Sequence, residues 1–392
     1  MKKLMILLAV ITMVGAFTTT TMADFDLYGS ARFRTYYTSI DDGVPGVDSD
    51  KDLEWRMGFL SRFGANFKSG KITGKFELDA RPGGQGTTDF VTYGSQASRL
   101  GNLRLRHLWG QWDFGAGKLM IGQNFPLYDA PVSGINYYSG GLQKWGGIGL
   151  LDARTSQIRL TFENLRLAFL PPDTFAAVTG IESTVRPFEN INTKFPKIEI
   201  RYDTRLDNFA LNFIGGYQSV EIEDRLNEAS PSPFSGTGPG TKATEDIRSW
   251  VLGFRGRADF DPVYAGLALT YRKNGRNYGV WTVSTKEQAV FQGNDLKDAF
   301  AWGVDAALGW RINDRFTVEA SYAAFDSKQD TALDNEDDAM VWAILTKITM
   351  APGVYIIPEI IYQDNKDVTN DGVSIDQGDV TVFGVLWKID FK

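Results

Sequence analysis

The sequence contains no cysteine and one histidine, His107, in 392 residues. Without cysteine there are no disulfides, so side-chain burial and backbone pairing must stabilise the fold. One histidine excludes the usual metal sites built from several histidines, and it leaves a single imidazole for activating a nucleophile. These two scarcities argue against a disulfide scaffold, a multi-histidine metal centre and most hydrolases.

Excess positive charge is also missing. The chain has 41 Lys and Arg against 48 Asp and Glu, with a net charge of −7. An acidic chain of this kind is not expected to bind nucleic acid. After the first 23 residues no apolar run approaches the roughly 18 residues of a membrane-crossing helix, so no transmembrane helix is expected.

The N-terminus has the three parts of a secretory signal peptide. Lys2 and Lys3 are followed by an apolar segment, Leu4 to Phe17, and then by the small-residue site Thr21-Met22-Ala23. This order predicts a signal peptide over residues 1–23 and a mature domain over residues 24–392. The alternative, an N-terminal membrane anchor, is disfavoured because a polar, Thr-rich stretch follows the apolar segment.

Alternation with a period of two is abundant. In the last stretch, Gly378 to Lys392, the odd positions from Thr381 onward are apolar or Thr, while the even positions include Gly384, Lys388 and Asp390. Phe300 to Ile312 alternates in the same way. Such alternation predicts β-strands with one apolar and one polar face. Aromatic residues make up 13% of the chain and glycines number 41, a composition that suits a membrane barrel.

Sixteen such strands can be read along the chain, beginning with Phe25 to Tyr37 and a second strand of about Leu53 to Phe67. Seven tight turns and eight long connections alternate between them. The pattern predicts an all-β protein, a transmembrane antiparallel β-barrel of about 16 strands with long external loops and short periplasmic turns. A soluble sandwich or solenoid is the alternative, but it would have exposed sheet edges and no reason to segregate its loops.

One strand, about Asn102 to Phe114, changes phase. Leu103 and Leu105 share one parity, whereas Leu108 and Trp112 share the other. This slip near His107 predicts a β-bulge.

Four stretches resemble bacterial outer-membrane porins of the 16-stranded trimeric type. They are DFDLYGSARFRTYY at residues 24–37, LRHLWGQWDFGAGKLMIGQNF at 105–125, RTSQIRLTFEN at 154–164, and the terminal strand. That family normally ends on an aromatic residue, but here Lys392 follows Phe391. The resemblance implies a homotrimer, recognition of the terminal strand by the outer-membrane assembly machinery, and a third external loop that folds into the barrel. By strand count that loop is Phe125 to Ala153; an outward-lying loop is the alternative.

Inward parity places an excess of basic residues on the first seven strands. Ten basic side chains face four acidic ones there, against eight and seven on the later strands. The predicted lumen residues of the first half include Arg32, Arg34, Arg56, Arg62, Lys75, Arg104 and Arg106. Because charges that line a lumen set its selectivity, this wall predicts a modest preference for small anions.

The sharper hypothesis is a constriction at mid-strand. Arg32, Arg62, Lys75 and Arg106 would face groups on the third loop, namely Asp129, Tyr137 and Tyr138. In the alternative hypothesis, these basic side chains pair with neighbouring carboxylates and only solvate the wall.

Outward parity predicts aromatic girdles at the membrane surface, formed by Trp55, Trp302, Trp310, Trp342 and Trp387. The expected partners are membrane lipid and lipopolysaccharide. Acidic loop residues such as Asp334 and Glu336 are expected to be solvated, with loose divalent bridging to lipopolysaccharide as an alternative. The segment Asp367 to Gly372 departs from a calcium-binding loop at Thr369 and Gly378, so no metal site and no cofactor are predicted.

The function predicted from the sequence is that of an outer-membrane porin through which small hydrophilic solutes and ions diffuse passively. A solute-specific porin for a sugar or an organic anion is the first alternative, and an adhesive or structural barrel without a channel is the second. Enzymatic activity is not predicted. An outer-membrane phospholipase has serine two residues after its histidine, and position 109 here is Trp.

Overall fold

The structure is a computed structural model that describes residues 24–41, 50–58, 60–81, 102–138, 141–150, 154–173, 191–224, 243–292 and 295–392. The predicted signal peptide lies outside these residues. Parts of several long connections, including residues 139–140 and 151–153 of the third, also lie outside them.

Strands dominate the described part of the chain. The first eleven are β1 (Asp24–Asp41), β2 (Asp50–Met57), β3 (Arg62–Ser69), β4 (Ile72–Arg81), β5 (Asn102–Asp113), β6 (Lys118–Asn124), β7 (Thr155–Phe162), β8 (Leu165–Leu170), β9 (Ile191–Thr193), β10 (Lys197–Leu206) and β11 (Phe209–Asp224). A 3₁₀ turn, Gln143–Trp145, lies between β6 and β7.

The second half contains β12 (Ala243–Phe260), β13 (Val263–Lys273), β14 (Val290–Gln292), β15 (Asp295–Lys297), β16 (Ala299–Arg311), β17 (Phe316–Gln329), β18 (Glu336–Ala351), β19 (Val354–Asp364), β20 (Asp367–Asn370), β21 (Val373–Asp376) and β22 (Asp379–Phe391). One short helix, α1 (Gly275–Tyr278), follows β13. In the described part of the chain, no helix is long and apolar enough to cross a membrane.

The described strands form a closed antiparallel barrel whose wall has sixteen strands, with β2 and β3 counting as one and β9 and β10, which both pair with β11, counting as another. Closure comes from β1 and β22, which pair from Gly29 with Phe391 to Asp41 with Asp379. Neighbouring wall strands are joined alternately by short turns and long connections, which confirms the predicted fold. Four short strands, β14, β15, β20 and β21, form two hairpins within long connections.

The second predicted strand is interrupted, which corrects the reading of Leu53 to Phe67 as one segment. Leu60 has φ of +76°, and the Ser61 hydroxyl donates to the Arg32 carbonyl at 3.3 Å. The amide of Gly58 donates to the same carbonyl at 2.8 Å. The wall therefore bends between β2 and β3 because the chain folds back onto β1 there.

The predicted phase slip is confirmed as a bulge in β5. Glu77 of β4 pairs with His107, whereas Leu78 pairs with Leu105, so Arg106 has no partner position on β4. Arg106 and His107 are both buried on the inner side of the barrel. The bulge thereby brings two consecutive side chains into the interior, which regular alternation would forbid.

The outer face carries an apolar band that approaches the height of a bilayer's hydrocarbon region. Trp302 and Trp310 are both exposed on β16, and their separation of eight residues corresponds to about 26 Å along an extended strand, or about 20 Å of height at a tilt of about 35–45°. A membrane barrel has an apolar band about 25 Å tall between its aromatic girdles. The other predicted girdle residues, Trp55, Trp342 and Trp387, are exposed as well. Their contact with lipid stays a prediction.

A charge on this outer face is expected to destabilise the barrel. Ile344 is 45% exposed at the centre of β18, and Ile344→Arg is predicted to lower the free energy of unfolding by about 2–4 kcal/mol if the face contacts lipid tails. Urea titration of protein refolded into phospholipid bilayers measures this change.

The matched control is Ile375→Arg in the β20–β21 hairpin, where the side chain is 50% exposed. This control should be close to neutral because the hairpin extends beyond the wall. Equal, small effects at both positions would contradict a lipid-facing surface.

Candidate functional site

The connection between β6 and β7, called the third connection, runs inside the barrel. Its backbone is bound by carboxylates of the far wall. Glu199 on β10 accepts hydrogen bonds from the amides of Leu127 at 2.5 Å and Tyr128 at 3.1 Å. Glu319 on β17 accepts from the amide of Gly134 at 2.6 Å. Both carboxylates are buried, so they satisfy loop amides that water does not reach.

Glu359 on β19 is the third of these anchors. It accepts hydrogen bonds from the amide of Asn136 at 2.8 Å, the amide of Tyr137 at 3.0 Å and the hydroxyl of Tyr36 at 2.9 Å. The side-chain amide of Asn136 also donates to it at 2.9 Å. Four donors on one buried carboxylate tie the middle of the third connection to β1 and β19 together.

Apolar packing holds the other side of the third connection. Ile135, Leu142 and Trp145 pack into one buried cluster with inward residues of β1, β17, β18, β19 and β22. On β18 the residues from Met340 to Leu345 are apolar at both parities, with one set on the exposed outer face and the other against the third connection. An apolar run of this kind is typical of a strand covered on both faces. This apolar run is visible in the sequence and indicates that another element covers the inner face of β18.

The approach is close enough to require glycine on both sides. A Cβ at Gly303 of β16 would lie 2.4 Å from the Cα of Gly146, and Gly146 itself has φ of +128°. Thr270 of β13 donates to the Gly146 carbonyl at 2.8 Å. The turn at the end of Gln143–Trp145 therefore lies directly on the wall.

The near wall, β1 to β8, carries the predicted basic residues. Glu77 is at its centre and accepts from Arg106 Nε at 2.5 Å and from the hydroxyl of Tyr28 at 2.7 Å. Arg62 Nε and Lys75 Nζ lie 3.5 and 3.7 Å from the same carboxylate. The structure thus brings three of the four predicted constriction residues together around one buried acid.

Asp79, two residues after Glu77 on β4, adds a second acid to this cluster. Arg104 lies 3.2 Å and Arg106 3.7 Å from its carboxylate. Asp79 is fully buried, whereas the Arg104 side chain is 53% exposed. The acid is covered, and a charged guanidinium remains at the water-accessible surface.

The same arrangement of two bases around one acid recurs along the wall. Glu54 lies 3.0 Å from Arg34 and 2.8 Å from Arg56. Asp203 is bridged by Arg166 at 2.9 Å and Arg201 at 2.7 Å. Further along, Asp259 lies between Arg311 at 2.7 Å and Arg257 at 3.7 Å. The Glu54 and Asp203 triads each have a net positive charge, because pairing neutralises only one of their two bases. Beside Asp259, the exposed Asp261 lies 3.5 Å from Arg311 and balances the second base.

The remaining predicted residues lie apart from the Glu77 cluster. Arg32 is buried, and its Nε donates to Ser30 at 3.3 Å. Arg34 donates to the Tyr137 carbonyl at 2.8 Å and stacks on the Tyr137 ring at 4.9 Å. Tyr137 and Tyr138 are in edge contact at 4.8 Å. The aromatic pair therefore faces Arg34 in the structure, on the β1 side.

Asp129 lies at the other end of the third connection, where Gln143 donates to its carboxylate at 2.8 Å. Burial raises the pKa of Asp129 to about 6. Among the bases, Arg154 has the largest electrostatic effect on Asp129, and Arg104 and Arg106 act electrostatically on Arg154 in turn. Asp129 is thus linked to the basic cluster through Arg154 and has no direct bond to that cluster.

A second connection inside the barrel was not predicted from the sequence. Residues 274–292, between β13 and β15, contain α1 and β14 and bury Tyr278, Val280 and Glu287. Their sequence has no alternation, which gave no reason to place them against an inner wall. The sequence features that could have indicated a compact segment are two glycines, Gly275 and Gly279, and valines at 280, 283 and 290. In the structure Asn274 is buried and has φ of +51°.

No metal centre emerges from the acidic loops. Among the residues described, no group of three or more His, Cys, Asp or Glu side chains is placed to hold a metal ion. Asp334 and Glu336 instead lie beside Lys328, and Asp338 lies 2.6 Å from Lys366.

Removing an anchor should loosen the third connection. Glu359→Gln replaces an acceptor oxygen by an NH₂ donor that faces other donors, and we expect it to lower the free energy of unfolding by about 1–3 kcal/mol. We also expect greater open-channel current noise in planar bilayers. Glu336→Gln is the control, since its side chain is 47% exposed. Indistinguishable stability and noise for the two variants would show that Glu359 does not hold the connection.

Comparison with known proteins gives a consistent structural result. No protein-family model matches the chain, and no curated protein matches it in sequence. The outer-membrane channel DcaP of Acinetobacter baumannii matches with a TM-score of 0.66 and 16% identity, covering 96% of this chain and 99% of its own.

Two further solved structures agree. OmpT, an outer-membrane protein of Vibrio cholerae in its trimer form, has a TM-score of 0.57 at 14% identity over 95% of this chain and 100% of its own. The anion-selective porin from Comamonas acidovorans has a TM-score of 0.54 at 14% identity, covering 94% and 100% of the two chains. The chain therefore has the fold of the bacterial outer-membrane porins and channels that these three structures represent.

Proposed function

We propose that the protein is an outer-membrane porin through which small hydrophilic solutes and ions diffuse passively, with a preference for small anions. The closed barrel with an apolar outer face supports residence in the outer membrane, because a closed sheet pairs each wall strand with a neighbour on both sides and leaves no open edge to the lipid. The described wall is polar and charged along its inner near side, which suits a water-filled passage.

The observation that carries the anion preference is the arrangement of two bases per acid on the inner wall. Five carboxylates on β2, β4, β10 and β12 each lie between at least two basic side chains. They are Glu54, Glu77, Asp79, Asp203 and Asp259. The anchoring glutamates of the third connection are also buried, and so they contribute little to the accessible surface. An anion in the passage therefore meets half-buried Arg62 and Lys75 and exposed Arg104 beside acids that are already paired.

This proposal differs from the alternative in which the arginines pair with neighbouring carboxylates and only solvate the wall. They do pair with carboxylates, but the pairing leaves an excess of positive charge. In a confined lumen that excess attracts anions and repels cations. The existence of an anion-selective porin with the same fold is consistent with this proposal.

The proposed partners are lipid, lipopolysaccharide and two further copies of this chain. OmpT of Vibrio cholerae has been solved in a trimer form, which supports a homotrimer here by similarity of fold. We propose that β22, whose outward residues end in exposed Phe391, is the segment that the assembly machinery recognises.

A solute-specific channel is the second candidate, and one observation favours it. The ammonium of Lys144 lies 4.3 Å from the Tyr138 ring and 4.1 Å from the Trp145 ring. Burial lowers the pKa of Lys144 to about 8. A cation between aromatic faces on the third connection would suit an organic anion, and micromolar to millimolar current block by such a solute would distinguish this candidate.

Selectivity is tested by the reversal potential in a salt gradient across a planar bilayer. The unmodified protein should give discrete steps in groups of three and an anion-selective reversal potential. The double variant Arg62→Gln, Arg104→Gln should shift that potential towards cations, because it removes two positive charges from the wall of the passage.

The control is Arg248→Gln, which removes one positive charge from an exposed position near the N-terminal end of β12. A shift as large in the control as in the lumen variant would contradict the proposed selectivity. A folded barrel without current would contradict the channel and favour an adhesive or structural role.

A further inference from the structure

Residues 274–292, called the clamp segment, are bound to the inner wall by buried polar contacts. Arg272 on β13 and Glu287 in the clamp segment form an ion pair at 2.9 Å, and both side chains are fully buried. Gln218 on β11 donates to the Asn277 carbonyl at 2.9 Å. Removing one partner of a buried ion pair is costly, so these contacts hold the segment inside the barrel.

The clamp segment is joined to the third connection by backbone pairing. Val280 and Leu150 form an isolated antiparallel bridge. The amide of Trp281 donates to the Gly149 carbonyl at 3.0 Å. Two residues further along the clamp segment, the amide of Val283 donates to the Lys144 carbonyl at 3.1 Å. One bridge and two backbone hydrogen bonds thus join residues 144–150 of the third connection to residues 280–283 of the clamp segment.

Packing follows the same path. Tyr128 and Ile148 of the third connection share a buried cluster with Tyr278 and Val280 of the clamp segment. The rings of Tyr128 and Tyr278 meet edge to face at 6.2 Å. Separating the connections would expose these side chains to water.

One carboxylate binds both connections. Glu199 accepts from the Leu127 and Tyr128 amides of the third connection. The same side chain accepts from the hydroxyl of Tyr278 in the clamp segment at 3.1 Å. A movement of either connection would therefore break hydrogen bonds of the other.

We propose that the clamp segment is a second constriction element, which locks the third connection against β10 to β18 so that the two move as one unit. Together they cover the apolar inner residues of that half, such as Ala268 and Val341. The water-filled path then runs beside the basic wall of β1 to β8. This inference builds on the proposed porin function, since it names a further determinant of its passage.

The test uses the absence of native cysteine. The double variant Leu150→Cys, Val280→Cys places thiols at bridge partners, whose Cα separation of about 4.5–5.5 Å permits a disulfide. We expect rapid, near-complete cross-linking on mild oxidation of the folded protein, detected as an intramolecular disulfide by peptide mass spectrometry. The oxidised channel should keep the unit conductance of the unmodified protein and show less current noise.

The matched control is Leu150→Cys, Ile375→Cys, which should not cross-link because Ile375 lies in the β20–β21 hairpin. A second variant, Trp281→Pro with Val283→Pro, removes the two amides that donate to the third connection. We expect it to raise unit conductance and noise. In the cysteine background it should cause loss of most of the cross-linked product.

Failure of Leu150→Cys, Val280→Cys to cross-link in folded protein, or closure of the channel on oxidation, would overturn the clamp. Unchanged conductance and noise in the proline variant would also overturn it. Cross-linking is measured without current, so the absence of current in unmodified protein would contradict the porin function while still allowing the clamp to be judged.

Discussion

The need to satisfy backbone amides away from water shapes the interior of this barrel. A connection that enters the lumen loses its solvent, and unpaired amides are costly. Here Glu199, Glu319 and Glu359 supply the missing acceptors, and each is buried by the connection it binds. The remaining structure follows, because acids used as anchors cannot also contribute charge to the passage.

The result is a barrel with two different halves. One part of the wall is packed against two connections through apolar side chains and through buried polar groups such as Glu199 and Arg272. The near wall, β1 to β8, carries basic residues in excess of acids. The proposed passage lies beside this basic wall in a protein whose net charge is −7, so overall charge does not report the charge of one inner surface.

Sequence reasoning predicted the wall because alternation reports each face locally. The β5 bulge was predicted from Leu105 and Leu108 falling on opposite parities. Sequence reasoning did not predict that Asp129 would bind Gln143, since contacts within an irregular connection depend on the path of its backbone. The clamp segment was missed for the same reason. The sequence feature that indicated an additional covering element was the set of apolar inner positions on β18.

The most direct test of the two-halved interior is thiol accessibility from the aqueous passage. Single cysteines at Arg62 and Lys75 would be compared with cysteines at Ala323 and Val341, which are buried under the connections. A bulky, water-soluble thiol reagent should reduce current through the first pair and leave the second pair unaffected. Equal modification of all four positions would contradict an interior that is closed on one side.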